Sequence, residues 1–148
     1  MLQGALYLYE KNNGYGEYIF DWGWAQAYER NGLNYYPKLV SAVPFTPATG
    51  RKLLVHPDAD ATRVRKKLLE EALECMRNRN CSSLHFLYIT AEELPVFNSM
   101  GFLVRHSFQF HWKNNNYQDF DQFLSTLKRK RRKAVSYTHL TLPTIYSV

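Results

Sequence analysis

Asp60-Ala-Thr-Arg-Val-Arg-Lys-Lys-Leu-Leu-Glu-Glu-Ala-Leu-Glu-Cys-Met-Arg-Asn-Arg-Asn80, followed shortly by Ser83-Leu-His-Phe-Leu-Tyr-Ile89, is the stretch whose reading sets the fold class of this 148-residue chain. Val64, Leu68, Ala72, Cys75 and Met76 recur at the 3.6-residue period, and Leu69 and Leu73 widen the stripe, so one face of a helix is apolar. Asp60 can accept hydrogen bonds from the unpaired N–H groups of the first turn. The spacing predicts a helix over about 61–77. The apolar run from Ser83 to Ile89 is too short for a helix of its own and predicts a buried strand. A long amphipathic helix delivering the chain into a buried strand is the unit of an α/β protein.

Working outward, Thr90 with Glu93 forms a capping pair, so Ala91 to Met100 reads as a short helix whose early turns Pro95 disturbs, with Gly101 as its stop. From Phe102 to Trp112 the residues alternate: Phe108, Phe110 and Trp112 share one face and Ser107, Gln109 and His111 the other, which predicts a half-buried strand. Asp119 with Gln122 is a second capping pair, and Phe120, Phe123, Leu124 and Leu127 form a helical stripe that is still running when the basic residues begin. Upstream, Gly4 to Tyr9 reads as a strand, Trp22 to Arg30 as a helix stopped by Gly32, and Lys38 to Phe45 as a buried strand bounded by Pro37 and a Thr46 to Gly50 turn. Strands alternating with helices predict an α/β fold, a mixed sheet flanked by helices.

The 45% hydrophobic and 16% aromatic content is that of a folded domain rather than a disordered chain. The sequence shows neither a long apolar run nor a signal-peptide pattern after Met1, so it is read as cytoplasmic and without a membrane span. Cys75 and Cys81 have no metal-ligand spacing and read as thiols of such a protein. Lys128 to Lys133 are six consecutive basic residues that carry the whole formal charge of +6. A basic run can meet nucleic acid, phosphate or an anionic lipid surface, or it can be a solvated helix face. Beyond it, Ala134 to Val148 has no charged residue, and Val135 to Thr144 resembles the in-frame translation of a sequencing adapter. The expectation is therefore two parts, a natural portion over 1–133 and a non-native tail over 134–148.

Two blocks carry a family resemblance. One comprises Tyr15-Gly-Glu-Tyr-Ile-Phe-Asp-Trp22, Tyr35-Tyr-Pro-Lys-Leu39 and Ala42-Val-Pro-Phe-Thr-Pro47 with Gly50; the other comprises Gln109-Phe-His-Trp112, Asn114, Tyr117, Phe120, Asp121, Phe123, Leu124 and Lys128-Arg-Lys130. Together they resemble the FemAB-like family of bacterial proteins, often labelled GNAT-family N-acetyltransferases or peptidoglycan biosynthesis proteins. The resemblance implies two GNAT-like halves in tandem, with residues 1–133 a partial first half, its opening elements before Met1 and the second half beyond Lys133. A chain cut in this way would be inactive by itself. The parent activity implied is transfer of an acyl or aminoacyl group to an amine, with acetyl-CoA or aminoacyl-tRNA as donor and a small molecule or cell-wall precursor as acceptor. A noncatalytic half that binds the precursor or supports the second half is the other reading.

Candidate site residues follow from chemistry. Acyl transfer to an amine needs a base, because an ammonium must lose its proton before it attacks. Glu17 and Asp21 lie among Tyr15, Tyr18, Trp22 and Trp24, where burial raises a carboxylate pKa toward that of a base; alternatively, Asp21 caps the helix at Trp22 and Glu17 is exposed. His111 on the polar side of its stretch is a third candidate, as a proton shuttle or as a structural residue. Tyr36, Lys38, Thr46, Gly50 and Arg51 are the candidate substrate-binding residues. The Thr46 to Lys52 stretch reads either as a phosphate-contact loop or as a solvated Pro and Gly loop, and its single glycine departs from the usual acetyl-CoA pyrophosphate motif.

Overall fold

The structure, a computed structural model, describes residues 1–141, with side chains through residue 138. It divides into a first unit over Met1–Arg105 and a second from His106 onward.

Within the first unit the long helix forms as the sequence dictates. It spans Ala61–Asn78, and the Asp60 carboxylate accepts from the Arg63 N–H at 3.1 Å. Val64, Leu69 and Ala72 are its buried residues. Numbering elements in chain order, β1 is Gly4–Ala5, β2 Tyr9–Lys11, α1 Trp22–Arg30, β3 Lys38–Ser41, β4 Leu54–Val55, α2 the long helix, β5 Leu84–Phe86 and α3 Leu94–Ser99. β1 and β4 pair antiparallel in a two-stranded ribbon. β3 is the centre of a three-stranded sheet, antiparallel to β2 and parallel to β5. The parallel pair is joined by a crossover that contains α2, as parallel neighbours require. The fold is therefore mixed α/β with a mixed sheet flanked by helices, compatible with a partial GNAT-like fold.

All four β3 residues are buried, which fits a central strand covered on both faces. One apolar cluster gathers Val40, Ala42 and Leu87 with Ile19 and Tyr88. The other gathers Leu53, Leu69 and Phe97 with partners that include Phe86 and Phe102. Phe86, Phe97 and Phe102 meet ring to ring at 4.8–5.7 Å between centroids. Gly32 at φ +69° and Gly101 at φ +77° follow α1 and α3 in the left-handed conformation that a side chain resists, so both serve as the expected stops.

Four expectations are corrected. The single strand over 4–9 is two short strands, and the strand over 38–45 ends at Ser41. The alternating segment 102–112 is not a strand, and Phe108, Phe110 and Trp112 are 85%, 93% and 65% exposed. Alternation fixes which side chains share a face, but a strand also needs a neighbouring strand to form a ladder with its backbone N–H and C=O groups, and among the described residues no strand pairs with this segment. The final helix is also not continuous.

In the second unit α4 spans Phe120–Ser125, capped by Asp119 through the Gln122 N–H at 2.7 Å, and α5 spans Arg129–Thr141. Between them the Ser125 and Thr126 hydroxyls each turn back onto a carbonyl of the preceding turn at 2.7 Å, local bonds that favour ending a helix there. Phe123 is ringed by Trp112, Tyr117 and Phe120, and Leu124 is buried. Residues 134–141 of the segment read as a tail lie in α5, and 142–148 lie outside the described residues.

Candidate functional site

β2 and β3 place Lys11 opposite Lys38 in antiparallel register, two like charges that would repel without a counter-ion. Glu17 supplies it. The Lys38 ammonium, fully buried, donates to Glu17 Oε2 and to Asp21 Oδ2, each at 2.8 Å. Glu17 Oε1 lies 3.2 Å from the Lys11 ammonium, within ion-pair distance but without hydrogen-bond alignment, and it is a buried oxygen with no hydrogen bond. The rings of Tyr35 and Tyr36 stand 5.5 and 5.8 Å from the Lys38 nitrogen, at cation–π distance. The Tyr88 hydroxyl donates to the Glu17 carbonyl at 3.0 Å, tying the loop down.

Asp21 is the hub. Oδ2 takes Lys38, Oδ1 takes the Arg105 guanidinium at 3.2 Å, and the His85 imidazole Nδ1 stands 3.9 Å from Oδ2. Asp21 occupies the position before α1, yet its side chain caps nothing; only its carbonyl accepts from the helix, from Ala25 N–H at 2.9 Å. Capping and an exposed Glu17 are therefore not what the structure shows: both carboxylates are 3% exposed.

Nor is the Asp21 pKa raised. Burial pushes it up, but the Lys38 ammonium bonded to it, helped by the Tyr35 hydroxyl and His85, outweighs burial and holds the carboxyl below the usual range. Lys38 answers in the same sense. Burial would discharge it, but the two carboxylates hold its pKa above the ordinary lysine value. Burial and the neighbouring Asp21 push the Tyr35 phenol up. Burial, then Lys38, hold His85 below its usual value against the pull of Asp21 and Glu17, so its imidazole is neutral at neutral pH.

The structure thus brings Glu17, Asp21, Tyr36 and Lys38 into one constellation. Thr46, Gly50 and Arg51 share no hydrogen bond or ion pair with it among the described residues. The Thr46 hydroxyl bonds the Pro44 carbonyl, Gly50 N–H bonds the Tyr88 carbonyl, and Arg51 pairs with Glu92 at the surface. His111 is exposed and belongs to the second unit. Sequence reading missed Ser83, His85 and Arg105. The first two had a signal: Ser83 and His85 sit two apart on a strand and so point to the same face. Arg105 had none. A groove of about 730 Å³ lies elsewhere, between the first residues of the chain and α2, and contains no member of the constellation. Among the described residues no cluster of His, Cys, Asp and Glu could hold a metal ion, and no helix is long and apolar enough to cross a membrane.

The FemAB-like family model, described as peptidoglycan biosynthesis/recognition, matches residues 1–140. The chain belongs to the FemAB-like family. No curated protein and no solved structure matches it. The carboxylate and lysine constellation is therefore a feature of a FemAB-like chain, drawn from the first block through which the sequence resembles that family, with Tyr15 to Trp22 supplying both acids and Tyr35 to Leu39 the lysine.

Proposed function

We propose that this FemAB-like chain works in transfer of an acyl or aminoacyl group to an amine of a cell-wall precursor, with aminoacyl-tRNA or acetyl-CoA as donor. Family membership supports the peptidoglycan setting. The observation that carries the chemistry is the neutral, partly exposed His85 imidazole beside a carboxylate fixed by Lys38. In this reading His85 takes the proton that the acceptor ammonium must lose, and Asp21 orients the ring. Lys38 holds Asp21 ionised, and Glu17 helps to keep the Lys38 ammonium charged. Arg105, 59% exposed, spends one nitrogen on Asp21 and turns its charge toward solvent, where it can meet a carboxylate or phosphate of a substrate.

One observation favours a second reading, a noncatalytic module that binds a precursor. Tyr15, Tyr18, Phe20, Trp22 and Trp24 are 74%, 55%, 60%, 57% and 55% exposed, an aromatic surface of the kind that binds ligands. The two readings part in one experiment. Purified protein is given aminoacyl-tRNA or acetyl-CoA and a precursor bearing a free amine, and product is followed by mass spectrometry. Transfer that falls at least tenfold in His85→Gln supports the transferase reading. Precursor binding with no transfer from either donor overturns it in favour of the module.

A further inference from the structure

We infer that Ser83, His85 and Asp21 form a nucleophilic relay, in which the Ser83 hydroxyl attacks an activated acyl group and carries it as an ester. Ser83 Oγ lies 2.8 Å from His85 Nε2, and His85 Nδ1 lies 3.9 Å from Asp21 Oδ2. Nucleophile, base and orienting carboxylate thus stand in the order that activates a serine, since a base in contact with the hydroxyl and a carboxylate behind the base is what that chemistry needs. The first link is already at hydrogen-bond length. The second is an ion-pair distance, of the loose kind that catalytic contacts often show before substrate binds.

Strand geometry builds the pair. Ser83 precedes β5 and His85 lies within it, two residues apart and therefore on one face. The pairing of Val40 with His85 sets the ring beside β3, two positions beyond Lys38. Ser83 Oγ also meets Ser82 Oγ at 3.3 Å, whose own hydroxyl is engaged with the Tyr35 carbonyl. Both Ser83 and His85 are partly exposed, so an acyl donor can reach them. With the ring proton on Nδ1 toward Asp21, Nε2 is free to accept.

The step balances. Ser83 Oγ bonds to the carbonyl carbon of the donor, an ester or thioester. Its proton passes to His85 Nε2, and the bond from carbonyl carbon to leaving group breaks as that proton is handed to the leaving oxygen or sulfur. An amine, or water, then attacks the carbonyl carbon of the Ser83 ester and loses its proton to His85, and the bond from that carbon to Ser83 Oγ breaks as His85 returns the proton to Oγ, releasing the amide or the acid. Ser83 and His85 are the reacting groups and Asp21 is a positioning residue. This deepens the transferase reading and rests on it for the identity of the second acceptor, while the first half-reaction stands by itself.

The test treats the full chain with a fluorophosphonate probe and, separately, with p-nitrophenyl acetate, and maps the adduct by peptide mass spectrometry. Labelling of Ser83 that falls at least tenfold in Ser83→Ala and in His85→Gln supports the relay, provided both variants retain the wild-type circular dichroism and melting temperature. Should either variant fail that check, labelling of Ser83 in native chain, compared with urea-unfolded chain, decides instead: at least tenfold faster labelling of the native chain supports the relay, and equal rates overturn it. The wild-type labelling rate should rise as His85 loses its proton, with a midpoint below the usual 6.5. The groups that face His85 are Asp21, Glu17, Lys38, Arg105 and the Tyr35 ring. Of these Asp21 pulls the midpoint up, so Asp21→Asn should move it lower; an unmoved midpoint overturns the positioning role. Amine transfer by Ser83→Ala at the wild-type rate overturns the covalent route and leaves the transferase reading standing. Ser83 labelling without amine transfer from either donor does the reverse.

Discussion

Lys38 and Lys52 are both buried to 0% exposure in the same unit, each within reach of a buried carboxylate system, yet their surroundings drive them in opposite directions. Lys38 gives its ammonium to two carboxylates, and its pKa rises above the ordinary 10.5. Lys52 gives its ammonium to two carbonyls, Gly50 at 2.7 Å and Tyr88 at 3.2 Å, and burial lowers its pKa against the pull of Glu93. The acid near Lys52 is occupied with backbone instead. Glu93 accepts the Lys52 and Leu53 N–H groups at 2.8 Å and both the N–H and the hydroxyl of Thr90 at 3.2 Å. A buried acid and a buried lysine thus do different jobs according to what else saturates them: around Lys38 charge meets charge beside a neutral imidazole, and around Lys52 charge meets peptide groups and fixes a loop to α3.

The largest expected effect comes from Lys38. Lys38→Met removes the buried ammonium shared by two buried carboxylates and leaves them only Lys11 and Arg105, so unfolding free energy in urea should fall by roughly 3–5 kcal/mol. Lys52→Met strands only two carbonyls and should cost about 1–3 kcal/mol; equal losses would erase the contrast. Glu93→Ala leaves the Lys52, Leu53 and Thr90 N–H groups unpaired and should cost roughly 2–4 kcal/mol by the same measurement, since each unmade buried bond carries a desolvation penalty.

Stability followed against pH sharpens the contrast further. Lys38 contributes stability that is fully present below 10.5 and lost as pH rises through its higher folded value. Lys52 has the reverse slope: between its lowered folded value and 10.5 the unfolded chain holds the extra proton, so stability from this group rises with pH. Lys38→Met should therefore flatten the loss above 10.5 and Lys52→Met the gain below it. At the acid end Asp21 contributes stability present above 3.8 and lost as pH falls through its lower folded value, a slope that Asp21→Asn should remove. The smallest effect is at the surface: Arg51→Ala breaks an exposed pair with Glu92, and the unfolding free energy in urea should fall by no more than about 1 kcal/mol.

Much of the frame was legible where local chemistry decides it. Asp60 and the Val64, Leu69 and Ala72 stripe specify α2, Gly32 and Gly101 mark helix stops, and Asp119 with Gln122 marks the start of α4, because caps and periodicity act within a few residues. The Leu54–Val55 strand was not legible, since two residues carry no period and only pairing with Gly4–Ala5 makes them a strand. Phe102 to Trp112 failed for the converse reason: it has the period and lacks a ladder partner among the described residues. At the site, aromatic neighbours drew attention to Glu17 and Asp21, but their burial against Lys38 depends on pairing β2 with β3 across the sequence. That pairing reverses the inferred direction of the Asp21 pKa. Arg105 arrives from the far end of the unit, and nothing local announces it.

The facing lysines of β2 and β3 have a consequence for how this chain can vary over generations. With Glu17 bridging Lys11 and Lys38, loss of the acid alone leaves two cations opposed, and loss of Lys38 alone leaves two buried acids without the ammonium they share. Each single step is costly, while joint replacement of Glu17, Asp21 and Lys38 by apolar residues of matching volume is close to neutral for folding. The trio should therefore pass down a lineage as a block, kept whole or exchanged whole. Descendants that exchange it would keep the sheet and give up the setting of His85.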